Sequence, residues 1–424
     1  MNPKKSDYLP RLVDDKIDIY LKIFGAISVE GPKWCGKTWS CEKHAKNAVY
    51  LDDPSTIDKA KLDLELIFHD DYPELIDEWH LIPQIWDIVR RKCDETTEKG
   101  KFILTCSTQL NDEKQKSIFH SGAGRIGKIK MYPMSLYESR DSSGEASLTD
   151  MYNDTQKNKT CPKTNIYDLA ELIIRGGWPG NIQNKGEICR IIPASYIESI
   201  LDKDMNDDKK RDKSKMLMLL KSLARNESTI VSNQTIIKDI ESCEDEKELI
   251  ESRITVADYL DVLERLHITE NTPAYTENYR SKERIGKSVK RHLIDPSLSC
   301  AVLSLTPEKL INDLKTFGFM FESLVERDLR IYIESLGGNI YHFRDNVTGL
   351  EVDAIIEWSN GEYAAVEIKL GTDSIEEAKE NLQKLENNMT KKPKFKCIIV
   401  GNIDYIAKDP ETGIYILPIT ALKP

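Results

Sequence analysis

The chain has 424 residues, 40% of them hydrophobic and 31% charged, with 60 Lys and Arg against 71 Asp and Glu and a formal net charge of −11. That length is more than one hydrophobic core serves, so about two to four domains are expected. No apolar run approaches the roughly 20 residues of a membrane span, which excludes an integral helical membrane protein. The acidic balance disfavours adhesion to nucleic acid through the overall field, while leaving room for a local basic groove. The nine cysteines form no C-x-x-C pair and the start of the chain carries no signal-peptide core, so reduced thiols and a cytoplasmic location are expected.

Asp14 to Phe24 has helical apolar spacing and is expected to pack beside a sheet. From Phe24 an apolar strand runs straight into Gly31-Pro32-Lys33-Trp34-Cys35-Gly36-Lys37-Thr38, followed by Trp39. This is the spacing of a phosphate-binding loop. Glycines at 31 and 36 let backbone N–H groups curl around a β-phosphate where a Cβ would obstruct the approach. Lys37 then reaches the β/γ-phosphates, Thr38 takes Mg²⁺, and a helix starting near Lys37 aims its positive end at the same phosphates. ATP with Mg²⁺ is the implied ligand; the alternative is an ordinary glycine turn.

Ala48 to Pro54 is a short strand closed by a turn signal, and the alternation of strands and helices implies a parallel sheet covered on both faces. Pro73 to His80 places apolar residues ahead of adjacent acids, the order of a Walker B element. Asp77 would hold Mg²⁺, directly or through water, and Glu78 would orient and deprotonate the attacking water. The bland alternative is an Asp-Glu pair at the surface end of a strand. Lys101 to Thr108 is a fourth strand ending in hydroxyls, where Ser107 either senses the γ-phosphate or water, or simply caps. Ser121-Gly122-Ala123-Gly124-Arg125 puts an arginine on a glycine-rich corner before another strand. Arg125 is read either as an arginine finger for a neighbouring site or as a surface ion-pair former.

Leu51-Asp52-Asp53-Pro54, Leu75-Ile76-Asp77-Glu78, Ile103-Leu104-Thr105-Cys106-Ser107 and Gly124-Arg125 to Pro133-Met134-Ser135-Leu136 together resemble the prokaryotic AAA-type ATPases that carry a C-terminal restriction-nuclease-like domain. The family usually has Gly where Cys106 stands and Gln where His80 stands.

Residues 140 to 165 are polar and read as a mobile insertion at the edge of the ATPase. Ile166 to Ile174 is helical and ends in Arg175-Gly176-Gly177-Trp178-Pro179-Gly180, a helix stop with a rigid turn. It is similar to the Gly-x-Pro turn in the lid of signalling ATPases, which implies that Pro179 lies near adenine. The mixed charge run Asp202 to Lys215 reads as a solvated face or hinge. Met216 to Ala224, a second helix capped by Ser232, and a third from Thr255, with a trailing Pro273-Ala274-Tyr275 strand, suggest a winged helix. The third helix sets Asp258, Asp261 and Glu264 against Arg265, a poor complement to phosphates, so domain contact is preferred to DNA reading.

Phe317 to Leu336 is an amphipathic helix ended by Gly337-Gly338, with Glu322 in its first turns. Strands Glu351 to Trp358 and Glu362 to Lys369 follow, joined by Ser359-Asn360-Gly361. A two-residue Asn-Gly turn would oppose Asp353 to Ile368. A three-residue loop with Gly361 left-handed opposes Asp353 to Glu367 and is preferred: Val352, Ala354, Ile356, Ala364, Val366 and Ile368 then share an apolar face, and Asp353, Glu367 and Lys369 gather on the other. Carboxylates so gathered repel unless a divalent cation binds. Mg²⁺ or Mn²⁺ at Asp353 and Glu367 would polarise a phosphodiester, with Lys369 stabilising the developing charge. A merely solvent-exposed charged face is the alternative. With the helix Ala378 to Leu385 and the strand Phe395 to Val400, the arrangement resembles the PD-(D/E)xK nuclease core, Asp353 and Glu367-Ile368-Lys369 forming the motif and Glu322 the helix acid.

The expected fold class is α/β: a P-loop AAA-like parallel-sheet ATPase (1–140), an insertion and helical lid (141–205), a winged-helix middle domain (206–300) and a restriction-endonuclease-like α/β domain (301–424). The expected function is Mg-dependent ATP hydrolysis coupled to a nuclease-like domain acting on DNA. The alternatives are an ATP-driven switch whose inactive nuclease-like domain binds a protein partner or nucleic acid, and a nucleotide-binding protein without turnover. Self-association is a further expectation, needed if Arg125 serves a neighbouring subunit.

Overall fold

The computed structural model describes residues 7–202, 205, 210–241, 253–277, 289–345 and 347–424. Part of the expected charged hinge, at 203–204 and 206–209, lies outside the described residues. The chain divides into two compact units: Met1–Pro133 with Asn206–Lys210 and Val262–Ile268, and Met134–Met205 with Arg211–Asp261 and Thr269–Pro424. No helix among the described residues is long and apolar enough to cross a membrane.

The first unit is built on β1 (Ala26–Glu30), β2 (Asn47–Tyr50), β3 (Glu74–Asp77), β4 (Phe102–Cys106) and β5 (Ile126–Lys130). They form one sheet in the order β2-β3-β4-β1-β5, every neighbouring pair parallel. Alternate residues of β4 serve opposite faces, as the two-residue period of a strand requires. Phe102 and Leu104 pack with Trp79 and Trp86, whereas Ile103 packs with Ile17, Ile27, Cys41 and Leu75. Each such side chain taken from water stabilises the sheet by roughly 2 kcal/mol. Helix α1 (Val13–Ile23) supplies Ile17 to the second cluster, and α2 (Lys37–His44) follows β1. Because β4 lies between β1 and β3, the loop after β1 and the acids ending β3 stand one strand apart at the carboxyl edge, where open α/β sheets present their sites.

The second unit carries a seven-stranded sheet, ordered Asn339–Arg344, Glu351–Glu357, Tyr363–Lys369, Lys396–Val400, Tyr415–Pro418, Tyr405–Lys408, Lys159–Thr160. Residues 140–165 are therefore not an insertion at the ATPase edge. Lys159–Thr160 pairs antiparallel with Tyr405–Lys408, and Ala146–Ser147 runs parallel to Leu422–Lys423. Lys159–Thr160 thus covers the open edge of the seven-stranded sheet, and Ala146–Ser147 forms a separate two-stranded sheet with the far end of the chain.

The Glu351/Tyr363 hairpin adopts the three-residue loop. Ala354 faces Val366 and Glu357 faces Tyr363, and Trp358 N–H donates to Glu362 O at 2.9 Å. Gly361 has φ +74°, the left-handed conformation that loop needs. The expected single apolar face is corrected in one respect. The ladder to Asn339–Arg344 shifts by a residue, so that Asp353 and Ala354 together stand opposite His342. This bulge turns Val352 to the side of Ile355, with which it packs over the helix Ile375–Asn388.

The helix Leu314–Ser335 precedes this sheet and ends at Leu336, with Gly337 at φ +78° and Gly338 N–H donating to Ile333 O at 2.8 Å. Upstream, helix Lys213–Arg225, strand Thr229–Ile230, and helices Asn233–Glu241 and Arg253–Arg265 are followed by strand Lys290–Arg291, which pairs antiparallel with Thr229–Ile230. The trailing segment Pro273 to Tyr275 joins the edge of the large sheet instead of staying with these helices: Tyr275 N–H donates to His342 O at 2.7 Å, and His342 N–H to Pro273 O at 2.9 Å.

Candidate functional site

The phosphate loop curls through left-handed backbone at Trp34 (φ +64°) and Gly36 (φ +99°), the kind of turn that gathers successive N–H groups into one concavity. A Cβ at Gly31 would stand 2.2 Å from Met131 O, so only glycine fits against β5's extension. Gly36 caps α2, which begins at Lys37. Lys37 is buried, and its Nζ donates to Gly31 O at 3.0 Å and Pro32 O at 2.8 Å. Cys35 is buried within the loop, whereas Trp34 and Trp39 are exposed beside Lys33. This cradle, with Lys37 and the Thr38 hydroxyl at its floor, fits a nucleoside triphosphate with Mg²⁺.

Thr38 Oγ1 donates to Asp77 Oδ1 at 3.0 Å. Thr105 Oγ1, near the end of β4, donates to the same Oδ1 at 2.6 Å and accepts the Glu78 N–H at 2.9 Å. Burial, reinforced by neighbouring Glu78, raises the Asp77 carboxyl above its ordinary value despite these hydroxyl donors. Glu78 itself occupies left-handed backbone, φ +56°, at the turn from β3 into the short helical segment Trp79–Leu81. Its Oε2 accepts Ser107 N–H at 3.1 Å and Ser107 Oγ at 2.8 Å, and stands 3.1 Å from His80 Nδ1. Burial alone would raise this carboxyl, but His80, the Lys37 charge and Ser107 bring it down to about 2. The two adjacent acids are thus pushed apart, one up and one down.

Two residues that sequence reasoning missed support this edge. Arg11 is buried and spans the loop, donating from Nη1 to Cys35 O and from Nη2 to Tyr132 O, each at 2.8 Å. Nothing in the spacing around Arg11 distinguishes it from a surface arginine. His267 is buried at φ +56°, and burial together with the charges of Lys130, Lys37 and Lys128 pushes it down to about 3, so it stays neutral. Of the remaining expected residues in the first unit, Arg125 stands at the opposite edge of the sheet, just before β5, where its Nε donates to Asp94 Oδ1 at 2.8 Å. Pro179 opens a short helical turn in the second unit, after Trp178, whose Nε1 donates to Ser297 Oγ at 2.9 Å.

The C-terminal acids do assemble. Lys369 Nζ lies 2.6 Å from Glu367 Oε2 and 3.4 Å from Asp353 Oδ2, and Ile368 N–H donates to Asp353 Oδ2 at 2.7 Å. Glu322 reaches the same place from the long helix, bound through a residue the sequence did not single out: Lys290 Nζ pairs with Glu322 and Glu326 and donates to Asp353 O at 3.1 Å. Burial lowers Lys290, but Glu322, Glu326 and Asp353 outweigh it and hold the ammonium above the ordinary lysine range. Burial and Asp353 push Glu367 well up. Among the described residues no group of three or more His, Cys, Asp or Glu side chains is disposed to hold a metal ion, and Lys290 and Lys369 stand among these acids.

Residues 24–139 match a family described as an AAA domain. Residues 166–309 and 317–422 each match a domain of unknown function, DUF8612 and DUF4143 respectively. No curated protein matches the chain. Among solved structures, a Walker-type ATPase of Pyrococcus abyssi is 12% identical, covering 72% of this chain and 99% of its own, with a TM-score of 0.43. The ORC1 protein of Aeropyrum pernix, solved in complex with DNA, is 11% identical, covering 70% and 93%, with a TM-score of 0.23. The Hef helicase domain of Pyrococcus furiosus is 11% identical, covering 99% and 87%, with a TM-score of 0.23. Likenesses at these TM-scores carry no argument, so the assignment rests on the AAA match and on the residues above. Residues 24–139, with the phosphate loop at 31–38 and Asp77 and Glu78 one strand away, form a P-loop ATPase domain of the AAA type.

Proposed function

We propose that this chain binds ATP with Mg²⁺ in the Gly31–Thr38 loop and hydrolyses it. The observation that carries the reading is the linked set Thr38–Asp77–Thr105–Glu78, which ties the phosphate loop, the acid pair and the hydroxyl-bearing strand into one hydrogen-bonded edge. Lys37 balances charge on the β/γ-phosphates, and Thr38 and Asp77 are the residues that would hold Mg²⁺. When bound, Mg²⁺ neutralises charge developing on the transferred phosphoryl group. Glu78 orients the attacking water as a hydrogen-bond acceptor. A carboxyl near 2 is a weak base, and a loose phosphoryl-transfer transition state asks little of one. Ser107 steadies Glu78. Lys37→Ala is expected to abolish phosphate release with the circular dichroism spectrum unchanged; wild-type turnover by that variant would remove the assignment.

A second reading concerns the C-terminal domain. Its constellation of Glu322, Asp353, Glu367 and Lys369 supports a restriction-nuclease-like fold, and the upstream helices with the Thr229/Lys290 strand pair support a winged helix. Since Lys290 and Lys369 already pair with these acids, the reading favoured is an ATP-driven switch whose nuclease-like domain binds DNA or a protein partner and does not cut in this arrangement. Linear and circular DNA incubated with Mg²⁺ or Mn²⁺, with and without ATP, are expected to survive equally with the wild type and with Asp353→Ala. Cleavage that Asp353→Ala abolishes would instead establish a nuclease.

A further inference from the structure

Lys290 is 5% exposed and reaches the acids from outside the strand and helix that carry them. Its backbone is fixed on both sides. Lys290–Arg291 pairs antiparallel with Thr229–Ile230, and Lys290 and Thr272 exchange N–H···O bonds of 2.9 Å. Two residues on, at the same side of the strand, His292 stands 2.9 Å from Glu326 and 3.1 Å from Glu227. The segment is thus tied to the helix Leu314–Ser335 at two successive inward positions.

Across the cluster, Glu367 is 1% exposed. One of its oxygens is on Lys369; the other, Oε1, is buried without a hydrogen-bond partner. A buried carboxylate oxygen left unmatched is costly. A divalent ion shared by Glu322, Asp353 and Glu367 would have to approach within a few ångströms of the Lys290 ammonium, and two like charges that close in a dry site exclude each other. We infer that Lys290 is the built-in counter-ion of this acid cluster, standing in the place of a divalent cation, so that the chain holds no such cation there and gains a divalent-metal site when the ammonium is removed. The inference rests on the reading of these residues as a nuclease-like site that does not cut.

The test is a Mn²⁺ titration of the full chain, reading free ion by electron paramagnetic resonance, for the wild type, Asp353→Asn, Lys290→Met and the Lys290→Met/Asp353→Asn pair. The wild type and Asp353→Asn are expected to bind the same number of ions. Lys290→Met should gain one ion, and the added Asp353→Asn should remove it. An ion that Asp353→Asn removes from the wild type, or a folded Lys290→Met that binds no more than the wild type, would overturn the inference. If Lys290→Met shows no cooperative melting, Lys290→Met/Glu326→Gln, which strands one acid fewer, takes its place with the same two outcomes. Failure here is separable from failure of the reading it rests on, which falls only if the wild type cuts DNA in an Asp353-dependent way.

Discussion

Glu78 combines left-handed backbone with a carboxyl held down by three neighbours, and that pairing sets what its substitution does. The folded value, about 2, lies below the ordinary 4.5, so this carboxylate stabilises the fold at every pH above about 4.5 and loses that contribution as the pH falls through about 2. Turnover is therefore expected to show no acid limb from Glu78 above about pH 4, which a pH–rate profile of the wild type checks. Glu78→Gln keeps the shape and one acceptor but removes the charge. It should bind ATP about as tightly as the wild type and turn it over at least about 100-fold more slowly. Binding by fluorescent nucleotide alongside phosphate release separates the two effects, and undiminished release would remove Glu78 from the reaction.

At the level of elements, the hairpin that aligns Asp353 with Glu367 depends on one glycine. Gly361 at φ +74° lets a three-residue loop close, with its N–H donating to Trp358 O at 2.8 Å. Gly361→Ala forces a Cβ into left-handed backbone, a cost of about 1 to 2 kcal/mol. An unfolding free energy lowered by that amount, read as a lower urea midpoint at unchanged slope, is expected, and an unchanged midpoint would show that the loop does not set the register. The bulge at Asp353–Ala354 acts on the same strand in a different way. It breaks the alternation once, leaving Asp353 to receive the Ile368 N–H on its side chain.

For the molecule as a whole, the phosphate loop lies in the first compact unit, so nucleotide is expected to act on the stability of that unit. ATP with Mg²⁺ at about 100 times its dissociation constant should stabilise the first unit by about 2.7 kcal/mol. Calorimetry is expected to resolve two transitions, of which ATP raises one; Lys37→Ala should cancel that rise. A second transition moving in step with the first would show that the units unfold together. The net charge of −11 acts at this scale too, since it sets a field that repels nucleic acid and leaves any DNA contact to a local surface.

The phosphate loop was legible because its whole mechanism lies within residues 31 to 38, and backbone demands on glycine show directly in a sequence. The acid pair at 77–78, the hydroxyl tip of β4 and the left-handed Gly361 were legible for the same reason: each is a local requirement on consecutive residues. What the tertiary structure alone decided is long-range. Residues 140–165 look like a polar insertion, and strands of two residues have no period to read, so only their pairing with distant strands shows where they belong. Arg11 and Lys290 carry no local mark, because a buried, paired cation has the same letter as a solvated one. Lys290 meets Asp353 across 63 residues of chain, and that meeting sets an ammonium among acids that the sequence groups without it. Composition and spacing fix what each segment can be, whereas the partners of a buried charge follow from packing, since desolvation makes an unpaired charge untenable only once the fold has closed around it.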